Sequence, residues 1–312
     1  MIVLLCSGQG TQHREMFRLT GDVPAAAAVF AAAKRVLGAD PRSFAQSAQE
    51  GALHSNRVAQ ILCVTQAIAG WMMLSDVLPE RYLVAGYSVG EVAAWSIAGL
   101  LDMEQAIEVA RVRAEHMDRA SGPNDGLAYV RGLARERVDQ LARDKEAEIA
   151  IANPANTFIV GGERQLLGEF CESALASGAL RAALLPVMVA AHTSRLAGTQ
   201  APFRAALEAS KPARQLVRHP GVTLLSGLDG SPIWDFSAGA DALARQLGTC
   251  VRWDLCLEAA VERGATAFLE LGPGRALARM AQADAYPQIP ARSLEDFRTC
   301  EGVRSWVRSL SR

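Results

Sequence analysis

Gly86-Tyr87-Ser88-Val89-Gly90 constrains this chain more than any other stretch. An apolar run, Tyr82-Leu83-Val84-Ala85, leads into it, and a helix-like run, Glu91-Val92-Ala93-Ala94-Trp95-Ser96-Ile97-Ala98, follows. A serine between two glycines, at the junction of a strand and a helix, has the pattern of a nucleophile elbow. The turn is sharp, so a side chain larger than hydrogen at either glycine collides with neighbouring backbone. The serine oxygen is lifted clear of the sheet, and the helix N-terminus beneath it offers free N–H groups to a developing oxyanion. The chemistry this arrangement suits is the making and breaking of an acyl bond.

Around the elbow, short apolar segments alternate with longer amphipathic ones, which predicts an α/β fold. Residues 2–6 read as a first buried strand, followed by the glycine loop Gly8-Gln9-Gly10. Residues 25–37 read as an alanine-rich helix, 58–78 as a long buried helix ended by Pro79, and 82–86 as the strand that delivers Ser88. Asp102 is placed to cap a helix running to about Arg119. The breaker cluster Ser121-Gly122-Pro123-Asn124-Asp125-Gly126 then changes the texture. Segments 127–133, 136–143, 147–152, 157–161, 163–176 and 180–185 follow in the order strand, helix, strand, strand, helix, strand. That order is the split βαβ, ferredoxin-like unit.

The expected organisation is a large α/β-hydrolase-like domain with a parallel sheet, discontinuous over 1–122 and 187–312, with a small ferredoxin-like (βαββαβ) domain inserted over 123–186. After Pro186, helices are expected over 194–209, 241–247, 253–263 and 276–283, with strands over 222–225 and 266–271. A final amphipathic helix is expected over 294–310.

Composition narrows the function classes. Half of the 312 residues are hydrophobic, ample for a large core, and a formal net charge of −1 supplies no basic field for nucleic acid. No apolar run reaches the ~18–20 residues of a membrane helix. Met1-Ile2-Val3-Leu4-Leu5-Cys6 is short for a signal peptide and lacks its basic lead. Cys6, Cys63, Cys171, Cys250, Cys256 and Cys300 are scattered and form no C-x-x-C pair, as expected of reduced core thiols in a cytoplasmic protein. The five histidines do not cluster with them, so no metal site is expected.

A serine hydroxyl needs a base to take its proton. His192, in Ala190-Ala191-His192-Thr193-Ser194, is the best candidate, because it sits in a loop just before a helix where the chain re-enters the large domain.

At this point the residues resemble a known family. Gly8-Gln9-Gly10 after the first strand, Gly86-Tyr87-Ser88-Val89-Gly90-Glu91 at the elbow, Arg113 followed by Met117, and Gly272-Pro273-Gly274 late in the chain are similar to the malonyl-CoA:acyl-carrier-protein transacylases. The same fold serves as the acyltransferase domain of fatty-acid and polyketide synthases. The resemblance covers nearly the whole chain and carries four elements in family order. It implies malonyl transfer from malonyl-CoA, through a seryl ester, to the prosthetic-group thiol of an acyl carrier protein, with no metal or redox cofactor.

The resemblance also implies roles. Ser88 is the acylated nucleophile and His192 its base, oriented by a backbone carbonyl from the Gln246-Leu247 stretch rather than by a carboxylate. The backbone N–H groups of Gln9 and Val89 form the oxyanion hole, and Gln60 lines the pocket. Arg113 grips the free malonyl carboxylate, for which a planar guanidinium offers two parallel hydrogen bonds.

Several positions depart from the family pattern. Tyr87 stands where histidine is usual, Ser7 where proline is frequent, Ala114 where glycine is frequent, and Ser226-Gly227-Leu228 where a segment usually begins with asparagine. Ala191 replaces a common phenylalanine and opens that side of the pocket. Tyr87 and the compact length are similar to the transacylase subunit of bacterial malonate decarboxylase, which implies its carrier subunit as acceptor and its other subunits as partners.

Two rival readings share these residues. A serine hydrolase or thioesterase has the same elbow but usually adds a loop-borne acid to orient the histidine, and the acids between Ser88 and His192 fall in expected helices or the insert. A non-catalytic carrier-docking module is the other. Arg292, Arg298, Arg304 and Arg308 read mainly as a solvated helix face, with an acidic carrier as the alternative contact.

Overall fold

The structure is a computed structural model and describes residues 1–210, 219 and 221–310. β1 (Ile2–Cys6) is buried along its whole length. An unbroken apolar strand is stable in that form only with both faces covered. It pairs in parallel with β2 (Tyr82–Gly86) on one side and β10 (Ala267–Glu270) on the other. β7 (Val222–Leu225), β8 (Pro232–Ile233) and β11 (Ala291–Ser293) complete a six-stranded sheet in the order β11-β10-β1-β2-β7-β8. Its pairings are parallel except β7 with β8. Alternation along β1 divides the core: Leu4 and Cys6 pack with Ile61, Trp95 and Ile107, whereas Val3 and Leu5 pack with Trp253, Leu257 and Phe268.

β3 (Asp125–Arg131), β4 (Glu148–Asn153), β5 (Thr157–Glu163) and β6 (Arg181–Leu184) form a second sheet. Helices Arg135–Arg143 and Arg164–Ala176 cover one face through Val138, Leu141, Leu167 and Phe170. Leu127, Ile151 and Ile159 point the other way and join the core around Trp253 and Tyr87. With β9 (Val251–Arg252) added, the strand order is β6-β3-β5-β4-β9. The first four strands follow the expected βαββαβ sequence. The fifth, β9 (Val251–Arg252), is an addition from much later in the chain and runs parallel to β4.

Other elements differ from expectation. The long helix is Asn56–Leu74, ending four residues early in a turn where Leu74 O accepts from the Val77 and Leu78 amides. It also has the length and apolar composition of a membrane span, contrary to the sequence reading, but 78% of that window is buried inside the fold, so it serves as a core helix. The helix expected over 241–247 begins at Phe236, because Asp235 caps it on the Ala238 amide. The segment 194–209 divides into a 3-10 turn, Ser194–Thr199, and helix Gln200–Ala209. The expected helix over 276–283 is an α-turn, Ala276–Arg279, continued as π-helix over Met280–Ala285.

The final helix is shorter too. Residues 294–296 form a separate 3-10 turn, and the helix is Cys300–Ser309, started by the Thr299 hydroxyl on the Gly302 amide. Arg304 pairs with Asp76, and Arg308 with Glu301.

Candidate active site

β1 and β2 end side by side, with Cys6 opposite Gly86. The two loops that follow therefore meet at the carboxyl ends of the strands, the usual crevice of an open parallel sheet. Contact there is too close for side chains: a Cβ on Gly86 would lie 2.0 Å from the Glu91 nitrogen, and one on Gly90 would lie 2.1 Å from the Cys6 carbonyl oxygen. Ser88 is held at φ 54°, in the left-handed region, so its side chain projects from the top of the turn. Helix Gly90–Ile97 starts directly behind it.

His192 arrives from the second sheet's return loop, also left-handed, with φ 64°. Its amide donates to Leu247 O at 2.9 Å. Its ring spans two partners: Nε2 lies 2.7 Å from Ser88 Oγ, and Nδ1 lies 2.6 Å from the Gln246 carbonyl oxygen. A carbonyl only accepts, so Nδ1 carries the proton and Nε2 presents its lone pair to the serine hydroxyl. Burial, with the nearby Arg113 charge, pushes the imidazole down to about 3, against the Gln246 hydrogen bond. The ring is thus a neutral acceptor at physiological pH.

Arg113 comes from helix Met103–Ala120, whose start carries a full capping box of Asp102 and Gln105. Its side chain is fully buried. Nη1 donates to Gln60 Oε1 at 2.9 Å and to Met117 Sδ at 3.2 Å. Nη2 donates to Ser88 Oγ at 3.3 Å and to Gln246 Oε1 at 3.4 Å, while Nε has no partner. Burial pushes the guanidinium down to about 10, with Glu91 opposing, so it remains a cation at neutral pH. A buried guanidinium held only by neutral acceptors, with Nη2 beside the serine oxygen, is suited to exchange a weak contact there for an anion.

A cavity of about 210 Å³ opens over Ser88 and His192. Gln9, Gly10, Thr11, Met117 and Ala191 contribute to its lining. The remaining lining is mostly apolar, from Tyr87 next to Ser88 and from Leu127, Ile151, Ile159, Leu185 and Val187 around the second sheet. Gln60 is fully buried behind this cavity, hydrogen-bonded to Arg113, Asn56 and Met117, and is not among the lining residues as expected. Arg113 is likewise buried and absent from the lining, reaching Ser88 Oγ and Met117 Sδ from within the fold. The Gln9 loop is braced by Thr11 on Pro273 O and by Gln12 on Leu53 O, so the glycine motifs at the two ends of the chain meet.

The structure thus brings Ser88, His192, Arg113, Gln60 and Gln246 into one connected group, with the Gln9 loop and the Val89 turn at its edge. Glu91 of the elbow motif carries no role in the sequence pattern, and the apolar wall has no motif of its own. The wall was legible only as strand alternation, which does not say what a face covers. Among the described residues, His192 Nδ1 meets the Gln246 carbonyl and no carboxylate hydrogen-bonds the ring, an arrangement unlike an acid-bearing triad.

Comparison with known proteins places the chain in a family. The family model described as acyl transferase domain matches residues 3–310. The malonyl CoA-acyl carrier protein transacylase of Mycobacterium tuberculosis is 31% identical over 301 residues, covering 95% of this chain and 96% of that protein. The solved structure of MCAT from the same organism has a TM-score of 0.86 at 30% identity, covering 97% of this chain and 99% of that one. An acyl-carrier-protein S-malonyltransferase from Burkholderia pseudomallei has a TM-score of 0.88 at 25% identity, over 97% and 99% of the two chains.

Proposed function

The chain belongs to the acyl transferase domain family, and from that premise we propose that it carries a malonyl group from malonyl-CoA, through an ester on Ser88, to the prosthetic-group thiol of an acyl carrier protein. The observation that carries this reading is the single connected group Ser88–His192–Gln246 O with a buried, anion-seeking Arg113 at 3.3 Å from the serine oxygen.

Ser88 Oγ attacks the thioester carbonyl while His192 Nε2 takes its proton. The Gln9 and Val89 amides receive the oxyanion; neither donates to another backbone carbonyl among the described residues. Losing one such donor costs on the order of 3 kcal/mol. The tetrahedral intermediate expels CoA thiolate, which His192 reprotonates, leaving malonyl-Ser88. The carrier thiol then gives its proton to His192, attacks the ester and restores the serine hydroxyl. The malonyl carboxylate sits on Arg113, which must exchange its Ser88 contact for the substrate. The apolar wall excludes water from the ester, favouring transfer over hydrolysis.

Finer features of the reading rest on single residues. The tyrosine at position 87 and the compact length are the features that extend the reading to the carrier subunit of malonate decarboxylase as acceptor, with its other subunits as partners. Residues 123–186 are read as the inserted domain within a large domain of 1–122 and 187–312. Free cysteines and a CoA substrate fit a cytoplasmic setting.

Intact mass spectrometry tests the proposal. Malonyl-CoA should add one malonyl group, and addition of a carrier protein should remove it onto the carrier. Turnover to free malonate at the same rate without a carrier would favour a hydrolase. Arg113→Ala should lower malonyl loading by roughly 10²-fold or more, while acetyl loading falls much less. Equal losses on both would refute the carboxylate clamp.

A pH profile checks the base. The rate of malonyl loading should hold as pH falls from about 7 to about 5, because the imidazole is already neutral well below its ordinary value. An acid limb centred on the ordinary histidine value would place the titrating base elsewhere.

A further inference from the structure

Glu91 is the buried acid that this cycle leaves without a task. The Gly227 amide donates to its Oε2 at 2.9 Å. Gln246 Nε2 donates to the same oxygen at 2.5 Å, and Gln246 Oε1 accepts from Arg113 Nη2 at 3.4 Å. One amide side chain therefore joins a buried acid to the buried cation, while its own backbone carbonyl orients His192. At the ends of this relay, Arg113 Nε makes no hydrogen bond, and Glu91 Oε1 makes none of normal geometry, with the Trp95 indole N–H the donor that faces the carboxylate.

The other groups facing Glu91 are the Trp95 indole N–H, the Asp229 carboxylate and the Cys256 thiol. The Arg113 charge also acts on His192, helping to keep its imidazole neutral. Arg113 is therefore the cation that balances Glu91, and no second one stands among these groups.

We infer that Glu91 is the exchangeable counter-ion of Arg113: it balances the guanidinium while the site is empty, and takes up a proton when a malonyl carboxylate occupies the guanidinium. The inference rests on the malonyl reading above. Two carboxylates around one buried guanidinium would leave a net negative charge in a low-dielectric site, and the less well solvated acid protonates instead. Burial already raises Glu91 to about 7, with the Gly227 amide and Arg113 opposing, so small changes in local charge move its proton near neutral pH. Glu91 touches no reacting atom in this scheme. It is a positioning residue that acts through Gln246 and Arg113, and it admits an acid-tailed acyl group without a charge penalty.

The proton balance makes this measurable. Acylation converts a serine hydroxyl and a thioester into an ester and a thiol, with no net proton while the thiol stays protonated. Conversion of Glu91 from carboxylate to carboxylic acid adds one proton drawn from solvent. The sign follows from the acid being protonated already at low pH: uptake should approach one proton per ester near pH 8 and fade toward none near pH 6.

The experiment loads the whole enzyme with malonyl-CoA in weakly buffered indicator solution, and counts the ester in the same samples by intact mass. Glu91→Gln is run in parallel, so that partial ionisation of released CoA cancels. The expected result is ester in both proteins, with proton uptake in wild type alone. Ester without a difference in uptake overturns the inference and leaves malonyl transfer standing; no ester at all overturns the reading beneath it. Should the variant fail to fold, wild type with acetyl-CoA replaces it. Per ester formed, the acyl group without a carboxylate should draw no proton, and equal uptake for both acyl groups overturns the inference.

Discussion

Ser88→Ala should abolish covalent loading by malonyl-CoA, with the transfer rate to a carrier falling by about 10⁴-fold or more. The expectation follows from the absence of a substitute at the elbow. His192 Nε2 points at Ser88 Oγ, and Arg113 Nη2 approaches the same oxygen. Alanine leaves the base with nothing to activate except a bound water. The fold should survive, because alanine keeps the Cβ and Val89 and Gly90 still start the helix. The measurement is intact mass after mixing with malonyl-CoA, alongside thermal unfolding of both proteins. An ester that persists in the variant would move the nucleophile to another side chain.

His192→Ala should slow acylation by about 10³-fold or more while leaving Ser88 in place. Two losses act together. The proton acceptor disappears, and the Gln246 carbonyl loses the donor that now meets it at 2.6 Å. CoA departure also slows, since the same nitrogen returns the proton to the leaving sulfur. Binding of the acyl group should change less, because Arg113 and Gln60 hold their contact without the imidazole. Single-turnover loading against malonyl-CoA concentration separates the two: the limiting rate should collapse and the half-saturating concentration should move little. An unchanged limiting rate would show that another group removes the serine proton.

Much of this site was legible before any coordinate was known, for a physical reason. Ser88 is framed by glycines that no other residue can replace, since added carbons would strike the Glu91 and Cys6 backbone. Such a demand is local and shows in the sequence. The two ends of the carbonyl-oriented histidine, 192 and 246, are not local; their pairing came from resemblance, and it takes the fold to bring them within 2.6 Å. Gln60 illustrates the limit. Its residue type and helix were readable, but whether it faces the cavity or stands behind Arg113 depends on the rotation of a helix that is apolar nearly all round. β8, β9 and β11 span two or three residues each, too few for a period to show. The last helix was read as too long because 297–299 keep an amphipathic texture while Thr299 restarts the hydrogen bonding.

β9 has a further consequence. Val251–Arg252 lies alongside Ile151 and Ala152, whose strand also supplies the acyl chamber, and the 3-10 turn Gln246–Gly248 a few residues upstream carries the carbonyl that aims the imidazole. Anyone grafting a foreign 123–186 segment to alter acyl choice would be moving half of a zipper whose other half stays behind. A mismatch there would be felt at the base before it was felt by the substrate, so chimeras should be built with residues 246–252 from the same donor.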